Sequence, residues 1–146
     1  MSYWDTSTLV KLYAQEPDSP VFEAHAASQI SPPLTSRIAL YEARATFHRK
    51  EAEGVLAAGT AQITYNELLQ DVATNDVWLV ELDAAVELEY GQVLNLCYQQ
   101  TPPLLLRTLD AIHVASARLS GETEIVATDK RMRDAAKLLG FSVFPL

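Results

Sequence analysis

The 146-residue sequence predicts an α/β fold built around a parallel sheet. Short apolar segments alternate with longer helical stretches, which is the pattern of parallel strands joined by helical crossovers. The runs Val77–Val80 and Ile125–Ala127 are apolar at every position, as strands covered on both faces tend to be. Gly121 and Gly140 follow the last two helical stretches, where glycine commonly ends a helix. Together these features predict a layered domain.

The first half of the chain contains two predicted strands and four predicted helices. The strands are Ser2–Trp4, which ends at Asp5, and Ser28–Ser31, which follows a helical stretch. The helical stretches are Thr8–Gln15, Pro20–Ala27, Leu34–Gly54 and Ala57–Thr74.

The second half contains three predicted strands and three predicted helices. The strands are Val77–Leu82, Glu124–Thr128 and Ser142–Phe144. The helices are Ala84–Gln100, Leu109–Leu119 and Lys130–Leu139. Pro102 and Pro103 break the chain after Gln100, because proline interrupts the helical hydrogen bonds. No linker or repeat divides the chain, so we expect a single domain over residues 1–146.

Composition limits the classes of function that fit. The net charge of −8 argues against a protein that coats nucleic acid non-specifically. Residues 51–106 hold nine of the 19 acids and no Lys or Arg, so the flanks remain able to accept a polyanion. Cys97 is the one cysteine, which excludes a disulfide framework within the chain. The apolar runs are too short to cross a bilayer and the N-terminus lacks a signal peptide pattern, so cytoplasmic residence is expected.

Two aspartates follow predicted strands. Asp5 comes after the first strand and Asp129 after the fourth. In parallel sheets ligands bind outside the carboxyl ends of the strands, at the point where strand order reverses. Each aspartate, taken alone, is also explained as a helix N-cap. If Asp5 instead holds a ligand, Thr6 or Ser7 is expected to cap the helix.

Two further acids lie on predicted helices. Glu42 shares a helical face with the apolar residues Ile38, Tyr41 and Ala45, and a carboxylate on a core-facing side is costly unless it is paired or binds a metal. A salt bridge to Arg37 or Arg49 is the alternative. Asp110 stands near the start of the most apolar helix, where the helix dipole favours a negative charge.

Taken together, the four acids predict a cation site. Four carboxylates without a histidine or cysteine cluster suit a hard cation such as Mg²⁺ or Mn²⁺. Such carboxylates repel one another, and a bound cation removes the repulsion.

The sequence resembles the PIN domain family and, within it, the VapC-like toxins of bacterial and archaeal toxin–antitoxin pairs. The resemblance covers nearly the whole chain. It rests on Tyr3–Ser7 with Leu9–Tyr13, on Ser36-Arg37 with Glu42, on Leu109–Ala117, and on Ala127–Met132 followed by Ala136–Gly140.

The resemblance implies a three-layer α/β/α sandwich with a five-stranded parallel sheet of order 3-2-1-4-5. It implies a metal-dependent ribonuclease that cleaves RNA with Mg²⁺ or Mn²⁺ at Asp5, Glu42, Asp110 and Asp129. Asp5 and Asp110 are expected to hold the principal metal, with Asp129 holding it through water or helping a second ion. Glu42 is expected to orient or deprotonate the attacking water.

Supporting residues and partners follow from the same resemblance. Thr6 or Ser7 is expected to assist Asp5, and Thr128 to support Asp129. The residues expected to contact RNA phosphates are Arg37, Arg107, Lys130 and Arg131. His113 lies three residues after Asp110 and is interpreted as a packing or hydrogen-bonding residue. The family also implies a cognate antitoxin and a homodimer, with contacts through the helices after Pro20 and Leu34.

Other functions fit fewer of the four acids. An aspartyl-phosphate phosphatase needs a second Asp two residues after Asp5, where this chain has Ser7. A phospho-acceptor receiver domain needs paired acids at the first strand, where only Asp5 is present. A catalytically silent PIN-like module that binds RNA or a protein remains an alternative, which the complete acidic set disfavours.

Overall fold

The computed structural model describes residues 1–146 as a five-stranded parallel sheet flanked by seven helices. The strands are β1 (Ser2–Trp4), β2 (Leu34–Ser36), β3 (Trp78–Val80), β4 (Glu124–Val126) and β5 (Ser142–Phe144). The helices are α1 (Thr6–Val10), α2 (Ser19–Ser28), α3 (Ile38–Ala52), α4 (Ala61–Ala73), α5 (Ala84–Tyr98), α6 (Thr108–Ser120) and α7 (Lys130–Leu138). None of these helices is long and apolar enough to cross a membrane.

The sheet has the order β3-β2-β1-β4-β5, so the predicted fold class and strand order are confirmed. The central strand β1 pairs with β2 on one side and with β4 on the other. Trp4 at the end of β1 is in register with Val126 at the end of β4. Strand order reverses between these two strands, which places the expected ligand crevice at their carboxyl ends.

Two hydrophobic cores lie on opposite faces of the sheet. Tyr3 and Ile125 are buried in the core that contains residues of α5, α6 and α7. Their neighbours Trp4 and Val126 are buried in the core that contains residues of α1, α3 and α4. Successive residues of a strand point to opposite faces, so β1 and β4 each supply both cores. The continuous apolar run Ile125–Ala127 is buried on both faces as predicted, whereas β3 in the run Val77–Val80 lies at the edge of the sheet and its Trp78 is 40% exposed.

The second strand lies later in the chain than the sequence predicts. Ser28–Ser31 does not form a strand, and Ile30 in this segment is 95% exposed. The strand is instead Leu34–Ser36, which was predicted as the beginning of a helix. The difference arises from pairing with both neighbouring strands, because Leu34 is in register with Tyr3 of β1 and with Trp78 of β3. The Thr35 hydroxyl also donates to the Trp4 carbonyl at 2.8 Å and fastens the strand to β1.

The first helix is shorter and begins earlier than predicted. It spans Thr6–Val10 rather than Thr8–Gln15, because Asp5 caps it. Beyond Val10 the backbone continues in tighter turns, with the amide of Tyr13 donating to the Val10 carbonyl at 2.9 Å. The other predicted helices and strands are present with boundaries that differ by a few residues.

Candidate active site

The four predicted acids lie in one polar cleft at the carboxyl ends of β1 and β4. The cleft has a volume of about 400 Å³, and none of the residues lining it is hydrophobic. Those residues are Asp5, Thr6, Ser7, Glu42, Arg107, Asp110, His113, Thr128 and Asp129. The sheet contributes the two strand-end aspartates, and each helical layer contributes one further acid.

Asp5 both caps α1 and faces the cleft. Its Oδ1 accepts hydrogen bonds from the backbone N–H of Thr8 at 2.9 Å and from the Thr8 hydroxyl at 2.6 Å. The Ser7 hydroxyl lies 3.1 Å from both carboxylate oxygens. Burial raises the pKa of Asp5, although the hydrogen bonds from Thr8 and Ser7 act to lower it. The expectation that Thr6 or Ser7 takes over the cap is therefore wrong.

Asp129 is anchored in the same manner at the start of α7. Its Oδ1 accepts the backbone N–H of Met132 at 3.0 Å. Its Oδ2 lies 3.6 Å from the guanidinium of Arg107. In both strand-end aspartates Oδ1 is therefore held by the first turn of a helix, whose positive end favours a carboxylate.

Asp110 occupies the first turn of α6, beside Arg107. Its Oδ2 lies 3.3 Å from Nε of Arg107, so this one guanidinium contacts both Asp110 and Asp129. Burial raises the pKa of Asp110, the charge of Arg107 opposes the rise, and the nearby charge of Asp129 adds to it. The carboxylates of Asp110 and Asp129 are close enough to repel each other, and both contact the exposed guanidinium of Arg107.

Glu42 does not lie on an apolar stripe. Tyr41 is 68% exposed, and the buried face of α3 consists of other residues, namely Ala39, Leu40, Ala43 and Phe47. The partner of Glu42 is neither of the predicted arginines but His113, whose Nε2 lies 2.7 Å from Oε1. Burial alone would raise the pKa of Glu42, but the hydrogen bond and charge of His113 and the bond from Thr6 together lower it.

The residues predicted to support the acids lie in the same cleft with different contacts. Ser7 contacts Asp5, as described above, whereas the Thr6 hydroxyl donates to Glu42 Oε1 at 2.7 Å. Thr6 therefore serves Glu42 rather than Asp5. Thr128 lines the cleft beside Asp129.

The four Arg and Lys residues predicted to contact RNA differ in their acidic partners. The Arg37 guanidinium is paired with Glu81 through two hydrogen bonds of 2.7 and 2.6 Å outside the cleft. Lys130 is paired with Asp134 at 2.7 Å. The other two bases are Arg107, which lines the acidic cleft, and Arg131, which lines a separate groove. Exposed ion pairs contribute little free energy, so these pairings would yield readily to a phosphate.

The separate groove lies between the proline-containing segment 100–105 and α7. Its volume of about 700 Å³ exceeds that of the acidic cleft, and its lining combines leucines with Arg131, Asp134 and Lys137. It contains none of the four acids. The acidic cleft, though smaller, therefore holds the groups that can carry out chemistry.

Two residues of the site, Thr8 and Tyr3, were not predicted as part of it, and His113, interpreted from the sequence as a packing or hydrogen-bonding residue, does form hydrogen bonds there. Thr8 holds Asp5, and its position three residues after the cap is a recognisable capping spacing. His113 lies under the cleft, and its spacing of three from Asp110 places both on one helical face. Tyr3, which donates or accepts a hydrogen bond at His113 Nδ1, gives no signal in the sequence beyond an apolar strand position.

The four carboxylates are ligands of the type that a hard divalent cation prefers, although their side chains are not arranged around a common metal position. As they stand, no three His, Cys, Asp or Glu residues form a group able to hold a metal ion. Arg107 contacts both Asp110 and Asp129 and supplies positive charge between them. The available donors are all oxygens, and burial disfavours the charged forms of Asp5 and Asp110 until a cation compensates them.

Comparisons with known proteins identify the family of the chain. The family model described as PIN domain matches residues 2–138. Ribonuclease VapC46 of Mycobacterium tuberculosis is 32% identical over 143 residues, which cover 97% of this chain and 94% of that protein.

Two solved structures are similar in fold. The Mycobacterium tuberculosis toxin VapC20, which cleaves the sarcin–ricin loop, superposes with a TM-score of 0.66 at 18% identity, over 92% of this chain and 95% of that one. A chain of VapBC2 from Rickettsia felis, bound to a DNA fragment from its promoter, superposes with a TM-score of 0.65 at 15% identity, over 98% of this chain and 97% of that one. At these identities the structures indicate a shared fold.

Proposed function

This chain is a VapC-like member of the PIN domain family, and we propose that it is a Mg²⁺- or Mn²⁺-dependent endoribonuclease, the toxin of a toxin–antitoxin pair. The observation that carries the proposal is the convergence of Asp5, Glu42, Asp110 and Asp129 in one cleft without apolar lining. The relative that is 32% identical is named a ribonuclease, and the match covers 94% of its length, which supports the same activity here.

The metal ligands in this proposal are Asp5, Asp110 and Asp129. When bound, Mg²⁺ or Mn²⁺ lowers the pKa of a water and stabilises negative charge that develops on the phosphate. Ser7 and Thr8 hold the Asp5 carboxylate in a fixed orientation, and the amide of Met132 does the same for Asp129.

Glu42 is the proposed base. Both of its hydrogen bonds fall on Oε1, from Thr6 and His113, and Oε2 has no protein partner. Oε2 is thus available to accept a proton from water, and the lowered pKa of Glu42 keeps the group ionised near neutral pH. Arg107, at the open side of the cleft, is placed to exchange its two carboxylate contacts for a phosphate oxygen of RNA.

The reaction is a hydrolysis at phosphorus. Water loses a proton to Glu42 and forms a new P–O bond while the bond to one ribose oxygen breaks, and that oxygen acquires a proton. One RNA fragment ends in a phosphate monoester and the other in a hydroxyl. Because water attacks instead of the neighbouring 2′-hydroxyl, no 2′,3′-cyclic phosphate forms.

An antitoxin and a second copy of the chain are the proposed protein partners. The chain shares its fold with a chain of the VapBC2 complex, which supports a cognate antitoxin as partner. A homodimer through the region of α2 and α3 stays a proposal of the same kind, and Val21 and Tyr41 offer exposed apolar surface there.

The test is an RNA cleavage assay with purified protein in Mg²⁺, in Mn²⁺ and in excess EDTA, with the chemical ends of the products identified. We expect cleavage only with a divalent cation, and products without a cyclic phosphate. Cleavage that persists in EDTA, or products that carry a 2′,3′-cyclic phosphate, would contradict the proposal. Absence of cleavage together with absence of any Mn²⁺ stabilisation in a thermal melt would favour the silent binding module.

A further inference from the structure

A chain of hydrogen bonds runs beneath the cleft from the sheet to Glu42. The Tyr3 hydroxyl lies 2.7 Å from Nδ1 of His113, and Nε2 of His113 lies 2.7 Å from Oε1 of Glu42. The three residues come from β1, α6 and α3, so the chain connects the sheet with both helical layers. The proposed reaction assigns neither Tyr3 nor His113 a task.

Packing holds both rings in place. Tyr3 is fully buried and His113 is 2% exposed. Their rings meet edge to face, with centroids 5.8 Å apart and planes inclined at 67°. A buried imidazole is costly unless both nitrogens have partners, and here each nitrogen has at least one. His113 therefore cannot turn away from Glu42 without losing its hydrogen bonds.

The arrangement favours one tautomer of the imidazole. Nε2 faces a carboxylate oxygen of Glu42, which only accepts, so in the neutral ring Nδ1 is the acceptor and the Tyr3 hydroxyl donates to it. The ring proton then belongs on Nε2, which donates to Glu42 Oε1. The Thr6 hydroxyl donates to the same Oε1, and its oxygen lies 3.1 Å from Nε2. The Nε2–H can therefore be shared between Glu42 Oε1 and the Thr6 oxygen.

We propose that Tyr3 and His113 are positioning residues for Glu42: the Tyr3 hydroxyl fixes the Nε2–H tautomer of His113, and His113 anchors Oε1 so that Oε2 faces the attacking water. This inference rests on the proposed function, since it assigns Glu42 the role of base. Neither residue touches the substrate or accepts its proton.

The kinetic test uses three substitutions that change the hydrogen bonds in steps. Tyr3→Phe removes only the hydroxyl, His113→Leu removes both nitrogens, and His113→Gln restores a donor toward Glu42. We expect Tyr3→Phe and His113→Leu to lower kcat by about 10- to 100-fold, a loss comparable to that caused by removing the hydrogen-bond partners of metal-ligating side chains. KM for RNA should stay unchanged, and His113→Gln should recover part of kcat.

A second measurement does not depend on activity. The ¹⁵N chemical shifts of His113 in the metal-free wild type should show Nε2 protonated and Nδ1 as acceptor, and Tyr3→Phe should move the ring toward a mixture of tautomers. A protonated Nδ1 in the neutral ring of the wild type, or a kcat that is unchanged in Tyr3→Phe, would overturn the inference.

The two measurements separate this inference from the proposed function. If the wild type cleaves no RNA, the proposed function fails and the positioning role fails with it, while the tautomer still decides whether the hydrogen-bond chain exists. If the wild type cleaves RNA and Tyr3→Phe does so equally well with the same KM, the proposed function stands and the positioning role is overturned. Should His113→Leu fail to fold, Tyr3→Phe and the wild-type ¹⁵N shifts decide.

Discussion

Asp5 shows how one carboxylate serves folding and a site at once. Oδ1 accepts two hydrogen bonds from Thr8 and caps α1, whereas Oδ2 has only the hydroxyl of Ser7 as partner. The sequence presented cap and ligand as alternatives, because a single residue before a helix fits either. The structure separates them by oxygen atom, which a sequence pattern does not encode.

Asp5→Asn should stabilise the metal-free protein, and the gain in stability should grow as pH rises. Burial raises the pKa of Asp5 above its unfolded value, so its favourable contribution is complete below the unfolded pKa of about 3.9 and is lost as pH rises through the folded pKa. Asn caps helices as well as Asp does, so Asp5→Asn keeps the cap. The free energy of unfolding of the variant, measured by urea titration in EDTA, should exceed that of the wild type increasingly from pH 4 to 7, by about 1.4 kcal/mol per unit of pKa rise.

Asp134→Asn is the control, because the pKa of Asp134 is shifted in the opposite direction. The hydrogen bond from Lys130 lowers the pKa of Asp134, so its contribution is present above the unfolded pKa and is lost as pH falls. This variant should show no gain in stability as pH rises. A gain of equal size in both variants would contradict the origin assigned to the effect of Asp5.

Arg107 should compete with the metal. Its guanidinium contacts Asp110 and Asp129 from an exposed position, and such ion pairs contribute at most about 1 kcal/mol. We therefore expect Arg107→Gln to bind Mn²⁺ up to about fivefold more tightly, measured by electron paramagnetic resonance titration. Arg118→Gln, which removes an ion pair with Glu89 elsewhere on α6, should leave Mn²⁺ affinity unchanged. Weaker Mn²⁺ binding by Arg107→Gln alone would rule out competition.

At the scale of elements, the site exists because two helices begin where two central strands end. α1 starts at Thr6 directly after β1, and α7 starts at Lys130 shortly after β4. Alternating apolar and helical segments predicted that a helix follows each of these strands, and the resemblance to the PIN domain family implied that the two strands are neighbours. The position of β2 was not predicted correctly, because three-residue strands carry little periodicity and Leu34–Ser36 is defined by pairing with neighbours. The partner of Glu42 was missed for a similar reason, since His113 reaches it only through tertiary packing.

Two glycines in neighbouring elements should respond to alanine in opposite ways. Gly91 lies inside α5 with open space around it, so Gly91→Ala should raise the free energy of unfolding by about 0.5–1 kcal/mol. Gly121 ends α6 with a φ of +78°, a left-handed conformation that costs a residue with a Cβ about 1–2 kcal/mol. Urea unfolding of both variants measures the difference. Equal changes of the same sign would contradict the assigned backbone conformations.

At the scale of the whole molecule, topology and charge place the cleft in the less acidic part of the chain. The order β3-β2-β1-β4-β5 puts the reversal of strand order at β1 and β4, which belong to the two flanks. The flanks carry all 11 Lys and Arg residues, whereas residues 51–106, which form α4, β3 and α5, carry nine acids and no base. An RNA strand is therefore expected to approach from the edge that carries Arg107 and Arg131 rather than across α4.

The proposed homodimer can be tested with two equally exposed residues. Tyr41 on α3 and Leu88 on α5 are both 68% exposed. A charge at Tyr41 would be buried in a dimer formed through α2 and α3, so Tyr41→Asp should shift the mass measured by light scattering toward the monomer, and Leu88→Asp should not. A wild type that is monomeric throughout, or a dimer indifferent to Tyr41→Asp, would contradict this contact.

The central claim is that four carboxylates from three layers act as one metal-dependent ribonuclease site. The most direct measurement is the single-turnover rate constant for RNA cleavage in Mn²⁺ by Asp5→Asn, Glu42→Gln, Asp110→Asn and Asp129→Asn, each first shown to be folded. Asp76→Asn, in the exposed turn before β3, is the matched control. We predict a loss of about 10²-fold or more for each of the four and wild-type cleavage by the control. Wild-type rates in Asp5→Asn and Asp110→Asn would contradict the claim.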